Sequence, residues 1–226
     1  MTAVLHPRVA ARSGPAARAH TWWGKAWVRA VEEAAYTEAD LRRARSLARS
    51  GRVGGITVDD GSFLAAVADG EEVWTVSGGL PVLDDGAAQA LVETVAAESG
   101  RIAALLAGDL PFTLVEHAEE AGVELLPYGG ELDATCTCEP WLDPCVHALA
   151  LMLQVTWLIE RDPLVMLHLR GLPRDALLAR LHERSSPLVP DDVGDADLDI
   201  AADAAARSAR VLDLLEDPDA SIDHLF

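Results

Sequence analysis

Residues 136–147 read CTCEPWLDPCVH and contain all three cysteines of a 226-residue chain. Cys136 and Cys138 are separated by one residue, and after six further residues Cys145 and His147 follow with the same spacing. Three cysteines cannot all pair as disulfides, and a reducing compartment keeps thiols free. Three thiolates and one imidazole complete the tetrahedral shell that zinc prefers. We therefore predict that these four side chains bind one structural zinc ion.

The local chain geometry is compatible with such a shell. Alternate side chains of an extended segment point the same way, so a strand or extended piece over 131–138 turns Cys136 and Cys138 to one side. Side chains two positions apart inside a helix diverge by about 200°. A helix that follows the loop must therefore hold Cys145 at its entrance and His147 in its first turn.

This cluster has three other interpretations. They are coincidental burial of the cysteines and the histidine, a catalytic ion, and redox sensing by the thiols. The absence of cysteine from the rest of the sequence disfavours coincidence. A catalytic zinc keeps one position open for water, whereas four good ligands close the shell, so a structural ion is preferred.

The pattern C-x-C, six residues, C-x-H resembles the SWIM zinc finger. The flanking segments are similar to those of small bacterial SWIM proteins: Trp-Trp-Gly-Lys-Ala-Trp at 22–27, Gly-Arg-Val-Gly at 51–54, Asp-Pro at 162–163 and Leu-Arg-Gly at 169–171. The resemblance covers residues 21–183. It identifies the chain as a SWIM zinc finger family protein.

The resemblance implies a zinc-binding adaptor. SWIM modules occur in or beside SWI/SNF-type helicase-like ATPases and Mutator-type transposases, with proposed roles in DNA binding or protein interaction. The implied partner is a protein, such as a helicase-like ATPase acting in DNA transactions. This chain departs from the family pattern at Val146, where relatives often carry lysine, and at Glu139-Pro140, where they often carry Pro-Asp. The first difference removes a positive charge, and the second moves a negative charge by one position.

The charges are divided unevenly along the chain. It has 18 basic and 37 acidic residues, a formal net charge of −19. Residues 1–55 hold ten basic and four acidic residues, a net charge of +6, and residues 56–226 carry −25. An acidic surface repels a phosphate backbone. Nucleic acid is therefore expected, if at all, only at the N-terminal region.

The finger itself lacks positive charge. No lysine or arginine occurs between Arg101 and Arg161, while ten acidic residues do. Phosphate contacts need such side chains, so we predict protein interaction rather than DNA binding by the finger. The alternative is direct nucleic-acid binding through the basic N-terminal region. Its candidate residues are Arg42, Arg43, Arg45, Arg49 and Arg52.

Apolar periodicity predicts an α+β fold that is mostly helical, with a small antiparallel three-stranded sheet and a zinc-stapled SWIM strand-loop-helix module. The predicted strands cover 56–58, 63–67 and 73–76. The predicted helices begin at Trp22 and otherwise cover 38–50, 87–98, 101–107, 111–121, 146–160, 163–170 and 173–183.

Composition suggests four regions. Residues 1–20 are predicted to be a flexible basic arm, 21–130 the N-terminal helices, β-meander and helical region, and 131–184 the SWIM finger with its following helices. Residues 185–226 are predicted to be an acidic linker and C-terminal tail with one weak helix near 200–215. The Asp195-x-Asp197-x-Asp199 run lacks the glycine and closing glutamate of a calcium loop and is interpreted as linker.

Several functional classes are excluded at this stage. We find no apolar stretch long enough for a membrane span and no signal peptide, so a cytoplasmic protein with no membrane partner is expected. The sequence has no Gly-rich phosphate loop, G-x-S-x-G elbow or H-E-x-x-H motif, so no enzyme is predicted. Glu160 and His168 are candidates to contact the zinc ligands, although core packing is favoured for both.

Overall fold

The computed structural model describes residues 3–185, 200 and 202–208, which fall into two units, Met1–Glu183 and Arg184–Phe226. In the second unit, residues 200 and 202–208 are helical, within the helix predicted at 200–215. The rest of that helix, residues 186–199 of the predicted linker and its Asp-x-Asp-x-Asp run lie outside the described residues.

The first unit combines one sheet with eight α-helices among its described residues. The strands are β1 (Val4–His6), β2 (Ile56–Asp59), β3 (Ser62–Asp69), β4 (Glu72–Gly79) and β5 (Asp133–Cys136). The helices are α1 (Trp22–Ala34), α2 (Glu38–Arg49), α3 (Asp85–Ala96), α4 (Ser99–Leu106), α5 (Phe112–Glu120), α6 (Val146–Arg161), α7 (Leu164–Leu169) and α8 (Arg174–Ser185). Short 3-10 turns cover Gly14–Ala17 and Gly129–Glu131.

The helix boundaries differ from the predicted ones by at most two residues. Capping explains much of this accuracy. Thr37 accepts a hydrogen bond from the Asp40 amide at the start of α2, and Gly51 follows the end of that helix with φ of 73°. A glycine adopts this left-handed conformation without the penalty that a Cβ imposes, which is why it ends helices so often.

The sheet has five strands in the order β1-β2-β3-β4-β5, all antiparallel, so the prediction of three strands is wrong. The predicted meander forms its centre. β1 lies in the segment predicted as a flexible arm and pairs with β2 through Val4 and Val58. It is too short to show an alternating pattern. β5 pairs with β4 through Thr135 and Ser77, after three intervening helices.

One face of the sheet contributes to the core. In β3, Phe63, Ala65 and Val67 are buried, while Leu64 between them is exposed. This alternation is expected of a strand with one solvated face. The central strands β3 and β4 contact α6.

Helix α6 is the centre of the fold. Every residue from Ala148 to Glu160 is buried, and the helix also contacts α1 and α2. The indole Nε1 of Trp27 donates to the Met152 carbonyl at 2.9 Å, and Trp23 Nε1 donates to the Ile159 carbonyl at 3.0 Å. Burying each indole with its N–H bonded contributes apolar area without an unsatisfied donor.

The last full turn of α6 supports the start of α1. Glu160 Oε1 accepts hydrogen bonds from the His20 amide, the Thr21 amide and the Thr21 hydroxyl at 2.7–3.0 Å. A Cβ added to Gly24 would lie 2.5 Å from the Glu160 side chain. The glycine of the Trp-Trp-Gly motif therefore makes room for this carboxylate, which serves the fold.

The Leu-Arg-Gly motif places an arginine in the interior. Arg170 is 2 % exposed, and its guanidinium pairs with both carboxylate oxygens of Glu131 at 2.9 and 3.1 Å. It also donates to the carbonyls of Leu125 and Pro81. A buried charge of this kind is tolerated because it is paired and its donors are satisfied. The motif thus anchors the residues that lead into β5.

Among the helices of the described residues, none has the length and apolar character needed to span a membrane.

Candidate metal centre

The four predicted ligands come together where β5 meets α6. Cys136 is the last residue of β5, and Cys138 lies in the turn after it. Cys145 is the N-cap of α6, and His147 is the second residue of that helix. The predicted placement of the last two residues at the helix entrance is confirmed.

The first two cysteines were expected on one extended segment, but β5 ends at Cys136 and Cys138 lies beyond it. The Glu139 amide donates to the Cys136 carbonyl at 3.2 Å, which closes a turn, and Glu139 has φ of 48°. The turn is fixed to β4 because Thr137 exchanges two hydrogen bonds with Thr75, each of 3.0 Å. The cysteines therefore converge through a turn, and not through the two-residue period of a strand.

The distances between the ligand atoms match a tetrahedral shell. Cys138 Sγ lies 3.6 Å from Cys145 Sγ, and His147 Nδ1 lies 3.7 Å from Cys136 Sγ and 3.8 Å from Cys145 Sγ. All four atoms lie within 4.8 Å of one another. Ligands at about 2.0–2.3 Å from a central zinc would stand roughly 3.5–3.8 Å apart. The Cys₃His cluster fits one zinc ion.

The second nitrogen of His147 is held by a carboxylate. His147 Nε2 lies 3.3 Å from Oδ2 of Asp69, the last residue of β3, and the same oxygen lies 2.5 Å from Arg43 Nη2 on α2. Trp74 packs beside the imidazole, with ring centroids 5.9 Å apart. A carboxylate on the outer nitrogen selects the tautomer whose Nδ1 is free to bind metal and makes that nitrogen more basic.

Asp69 and Arg43 were missed by the sequence analysis. Asp69 begins an Asp-Gly-Glu-Glu run typical of a turn between two strands, and it lies 78 positions before His147. Arg43 belongs to the arginines for which a solvated face or an internal contact to the acidic body was the favoured interpretation, but no particular carboxylate was named as its partner. The known preference of zinc-bound histidine for a carboxylate partner indicates that such a residue should exist, but no spacing identifies which one.

Burial favours the protonated form of the thiols when no cation is bound. It raises the pKa of Cys136 and of Cys138, and for Cys138 the neighbouring thiols raise the pKa further. Three thiolates cannot share so small a volume without a positive charge. A divalent cation supplies that charge and holds the thiolates deprotonated.

The Asp69 carboxyl is biased toward its ionised form. Burial alone would raise its pKa, but the hydrogen bond with His147 and the positive charge of Arg43 outweigh it, so the pKa of Asp69 is lowered. Asp69 therefore remains an anion across the neutral range, which suits an acceptor for the imidazole N–H.

The two other residues considered near the metal lie elsewhere. Glu160 holds the start of α1. His168 on α7 is buried, and its Nε2 lies 3.4 Å from Asp60 Oδ1 in the β2–β3 turn. With Asp59 these residues form a second group of possible ligand atoms within 4.8 Å of one another. His168 therefore contacts the β2–β3 turn and holds it against α7, and it is not part of the cysteine cluster.

The loop between the two ligand pairs is exposed at its tip. Trp141 is 97 % exposed, and Leu142 beside it is 48 % exposed. Tryptophan is highly buried on average in folded proteins, so an exposed fraction of this size is unusual for this residue type. The loop also carries the acidic residues Glu139 and Asp143.

Comparison with known families agrees with this geometry. Residues 121–155, which include all four cluster residues, match the model of the SWIM zinc finger. The chain carries a SWIM zinc finger. SWIM fingers are zinc-binding modules that take part in interactions with proteins or nucleic acids. In this chain the SWIM finger begins after α5, includes β5 and the ligand loop, and ends within α6.

One curated relative extends the similarity beyond the finger. The chain is 30 % identical over 176 residues to a protein of Mycobacterium tuberculosis named "Uncharacterized protein Rv2102". The matched part is 76 % of this chain and 63 % of the relative, so the chain spans less than two thirds of the relative's length. No solved structure matches the chain.

Proposed function

We propose that this chain is a zinc-dependent interaction module. Cys136, Cys138, Cys145 and His147 hold one structural zinc ion, and the loop that the ion braces presents Trp141 to a protein partner. The observation that carries this proposal is the 97 % exposure of Trp141 at the tip of that loop. Tryptophan is among the residues that dominate binding energy at protein interfaces.

A structural and non-catalytic ion is supported by the donor set. Four strong ligands leave no position for a water molecule or substrate, and that open position is what a catalytic zinc requires. The zinc then acts on the loop, because it ties the end of β5 to the first turn of α6. We propose no catalytic activity for the chain.

Electrostatics favour a protein over DNA at this surface. The loop contributes the charges of Glu139 and Asp143, and zinc with three thiolates sums to −1. The segment between Arg101 and Arg161 has no lysine or arginine. A nucleic-acid backbone would meet like charge here and find no side chain to displace its counterions.

The resemblance to SWIM proteins supports a more specific partner. We propose that the partner is a SWI/SNF-type helicase-like ATPase, and that the two proteins meet in the cytoplasm during DNA transactions. An apolar pocket with a basic rim on that partner would complement Trp141 and the acidic loop around it.

Three of the five arginines available to the nucleic-acid alternative already have carboxylate neighbours. Arg43 pairs with Asp69 at the metal centre, and Arg45 lies 3.5 Å from Glu38 and also pairs with Glu32. Arg42 lies 4.0 Å from Glu38. Each pair would have to be broken or shared before a phosphate could bind, which lowers the gain from each contact.

A pull-down with matched variants tests the protein-interaction proposal. The zinc-loaded full chain, Trp141→Ser and Tyr36→Ser are immobilised, and a purified helicase-like ATPase is applied. Tyr36 is 61 % exposed in the α1–α2 loop and serves as the control aromatic. We expect retention of the ATPase by Trp141→Ser to be at least about tenfold weaker than by the unmodified chain. Retention by Tyr36→Ser should be unchanged. Equal retention of all three proteins would refute the role of the loop.

Fluorescence anisotropy with duplex and single-stranded DNA separates the alternative. The proposed function predicts no salt-sensitive binding near physiological ionic strength. Because Arg43 supports Asp69, an Arg42→Ala/Arg52→Ala variant is cleaner than one that also changes Arg43. Tight binding of the unmodified chain that this variant loses would support the nucleic-acid reading instead.

A further inference from the structure

A second candidate site lies at the other end of α6, away from the zinc ligands. A cavity of about 550 Å³ opens between α1, α2 and the last turns of α6. This volume is within the range of natural ligand pockets, roughly 300–1,000 Å³. Residues 17–19, which precede α1, complete its wall.

The lining of this cavity is largely apolar but contains one unsatisfied hydroxyl. Val28, Ala48, Leu153 and Trp157 contribute apolar surface. Thr156, which also lines the cavity, is 1 % exposed, and its Oγ1 has no hydrogen-bond partner among the described residues. A buried hydroxyl left without a partner lowers the stability of the folded state. A polar group of a ligand that enters the cavity would supply that partner.

The rim of the cavity is positively charged. Its charged residues are Arg18, Lys25, Arg45 and Arg49, with Glu32 as the single acid. Glu32 pairs with Arg45. Within the described part of the chain, no carboxylate forms an ion pair with Arg18, Lys25 or Arg49. Three cations around one apolar cavity are thus available to an anion, in a protein whose formal net charge is −19.

The aromatic surface of the cavity is not free for base stacking. The Arg12 guanidinium carbon lies 4.4 Å from the centroid of the Trp157 ring and covers one face of it. Trp157 itself is only 5 % exposed. Single-stranded nucleic acids bind through exposed aromatic faces along an open basic groove. A cavity of about 550 Å³ admits a side chain with a short flanking backbone more readily than a polynucleotide.

We propose that this cavity binds a short acidic peptide segment of a protein partner, with one apolar side chain inserted against Leu153 and Trp157. The flanking carboxylates pair with Arg18, Lys25 and Arg49, and a backbone carbonyl accepts a hydrogen bond from the Thr156 hydroxyl. The inference rests on the proposed role in protein interaction, but it uses none of the zinc ligands. It adds a second contact surface, of opposite charge to the loop around Trp141.

A peptide titration tests the site directly. The zinc-loaded full chain is titrated into a fluorescein-labelled peptide of sequence Glu-Asp-Glu-Leu-Asp-Glu-Asp, and the anisotropy is followed at several salt concentrations. We expect saturable binding that weakens with salt. Replacing the leucine of the peptide with serine, or its acids with their amides, should weaken binding by about tenfold or more.

Matched variants locate the binding. Lys25→Glu and Arg49→Glu should each weaken binding by about tenfold or more, whereas Arg29→Glu and Arg42→Glu, which make the same charge change on the same two helices outside the cavity, should have less than about a threefold effect. Thr156→Val, which removes only the hydroxyl, should weaken binding by about 2–10-fold. Circular dichroism and zinc content verify that each variant is folded.

Three results would overturn the inference. If all four charge reversals weaken binding equally, the peptide senses only the general field of the N-terminal region. If a single-stranded oligonucleotide of equal charge binds more tightly than the peptide and competes with it, the ligand is nucleic acid. Absence of peptide binding in a chain that retains one zinc and still captures its ATPase partner would refute this site alone, and not the proposed function.

Discussion

The two ends of α6 support sites of different construction. At its N-terminal end, four ligands within residues 136–147 converge on one point, and the surrounding charge is negative. At its C-terminal end, the cavity is assembled from α1, α2 and the segment before α1, and its rim is positive. One buried helix connects the two, because residues from Ala148 to Glu160 are all in the core.

The difference between the two ends shows which kinds of site can be predicted from a sequence. A site whose ligands lie close together in the chain leaves a pattern of residue types and spacings. A site formed by long-range packing leaves only a regional charge, here the positive balance of residues 1–55. Each of the following experiments changes residues or conditions at one end of α6.

Loss of a zinc ligand should have the largest effect. Cys136→Ser and His147→Ala should lower the zinc content from about one per chain to near zero, as measured by elemental analysis. Apparent zinc-binding free energies in small fingers are about 10–16 kcal/mol, so β5 and the first turns of α6 should lose hydrogen-exchange protection. Thr135→Ala, an exposed change beside Cys136, is the control. Metal-free protein with full protection would contradict a structural ion.

Removal of Glu160 should disturb the opposite end. Glu160→Ala leaves two amides and one hydroxyl near the start of α1 without their acceptor, which should lower the free energy of unfolding by about 2–4 kcal/mol. Urea unfolding followed by tryptophan fluorescence measures this loss. Glu116→Ala, an exposed position on α5, should change it little. The zinc content should stay at one, and its loss would show that the two ends are not separable.

Zinc affinity should depend steeply on pH. Because the pKa values of Cys136 and Cys138 are raised above their usual range, the metal-free protein keeps both protons at neutral pH. Zinc must displace them, so the Kd should fall as the pH rises. At least two protons are displaced by the ion, which corresponds to a change of about a hundredfold or more per pH unit between pH 6 and 8. Competition with a chelator at several pH values measures the slope, and a flat profile would exclude these thiols as ligands.

The Asp69 contact should have the smallest effect of the four. Asp69→Asn removes the anion beside His147 Nε2 and should weaken zinc binding by about 10–100-fold, the usual range for such partners of a metal-bound histidine. Glu72→Gln, which pairs with Asp69 across the β3–β4 hairpin, is the control and should bind zinc normally. Equal zinc affinities for both variants would show that Asp69 does not support the metal-binding histidine.

The local features of the fold were largely predictable from the sequence. The helices were predictable because apolar periodicity and capping residues such as Thr37 and Gly51 are local signals. The placement of Cys145 and His147 at the entrance of α6 followed from the angle between neighbouring side chains on a helix. Both rest on residues that lie close together in the chain.

The features that failed depend on distant parts of the chain. β1 is three residues long and gains its partner only when Ile56–Asp59 arrives beside it. Three helices lie between β4 and β5 in the sequence, so no local pattern in either strand predicts that the two strands pair. The contact of Asp69 with His147 is of the same kind, because it exists only after the sheet and α6 have packed together.

The position of α6 in the chain has a consequence for protein synthesis. Trp23 and Trp27 leave the ribosome early, but the carbonyls that accept their indole N–H groups belong to Ile159 and Met152. A nascent chain that ends before Val146 therefore exposes the apolar face of α1 and one face of the sheet to solvent and to chaperones. The zinc ligands emerge just ahead of α6, so metal capture and closure of the core become possible at nearly the same moment of translation.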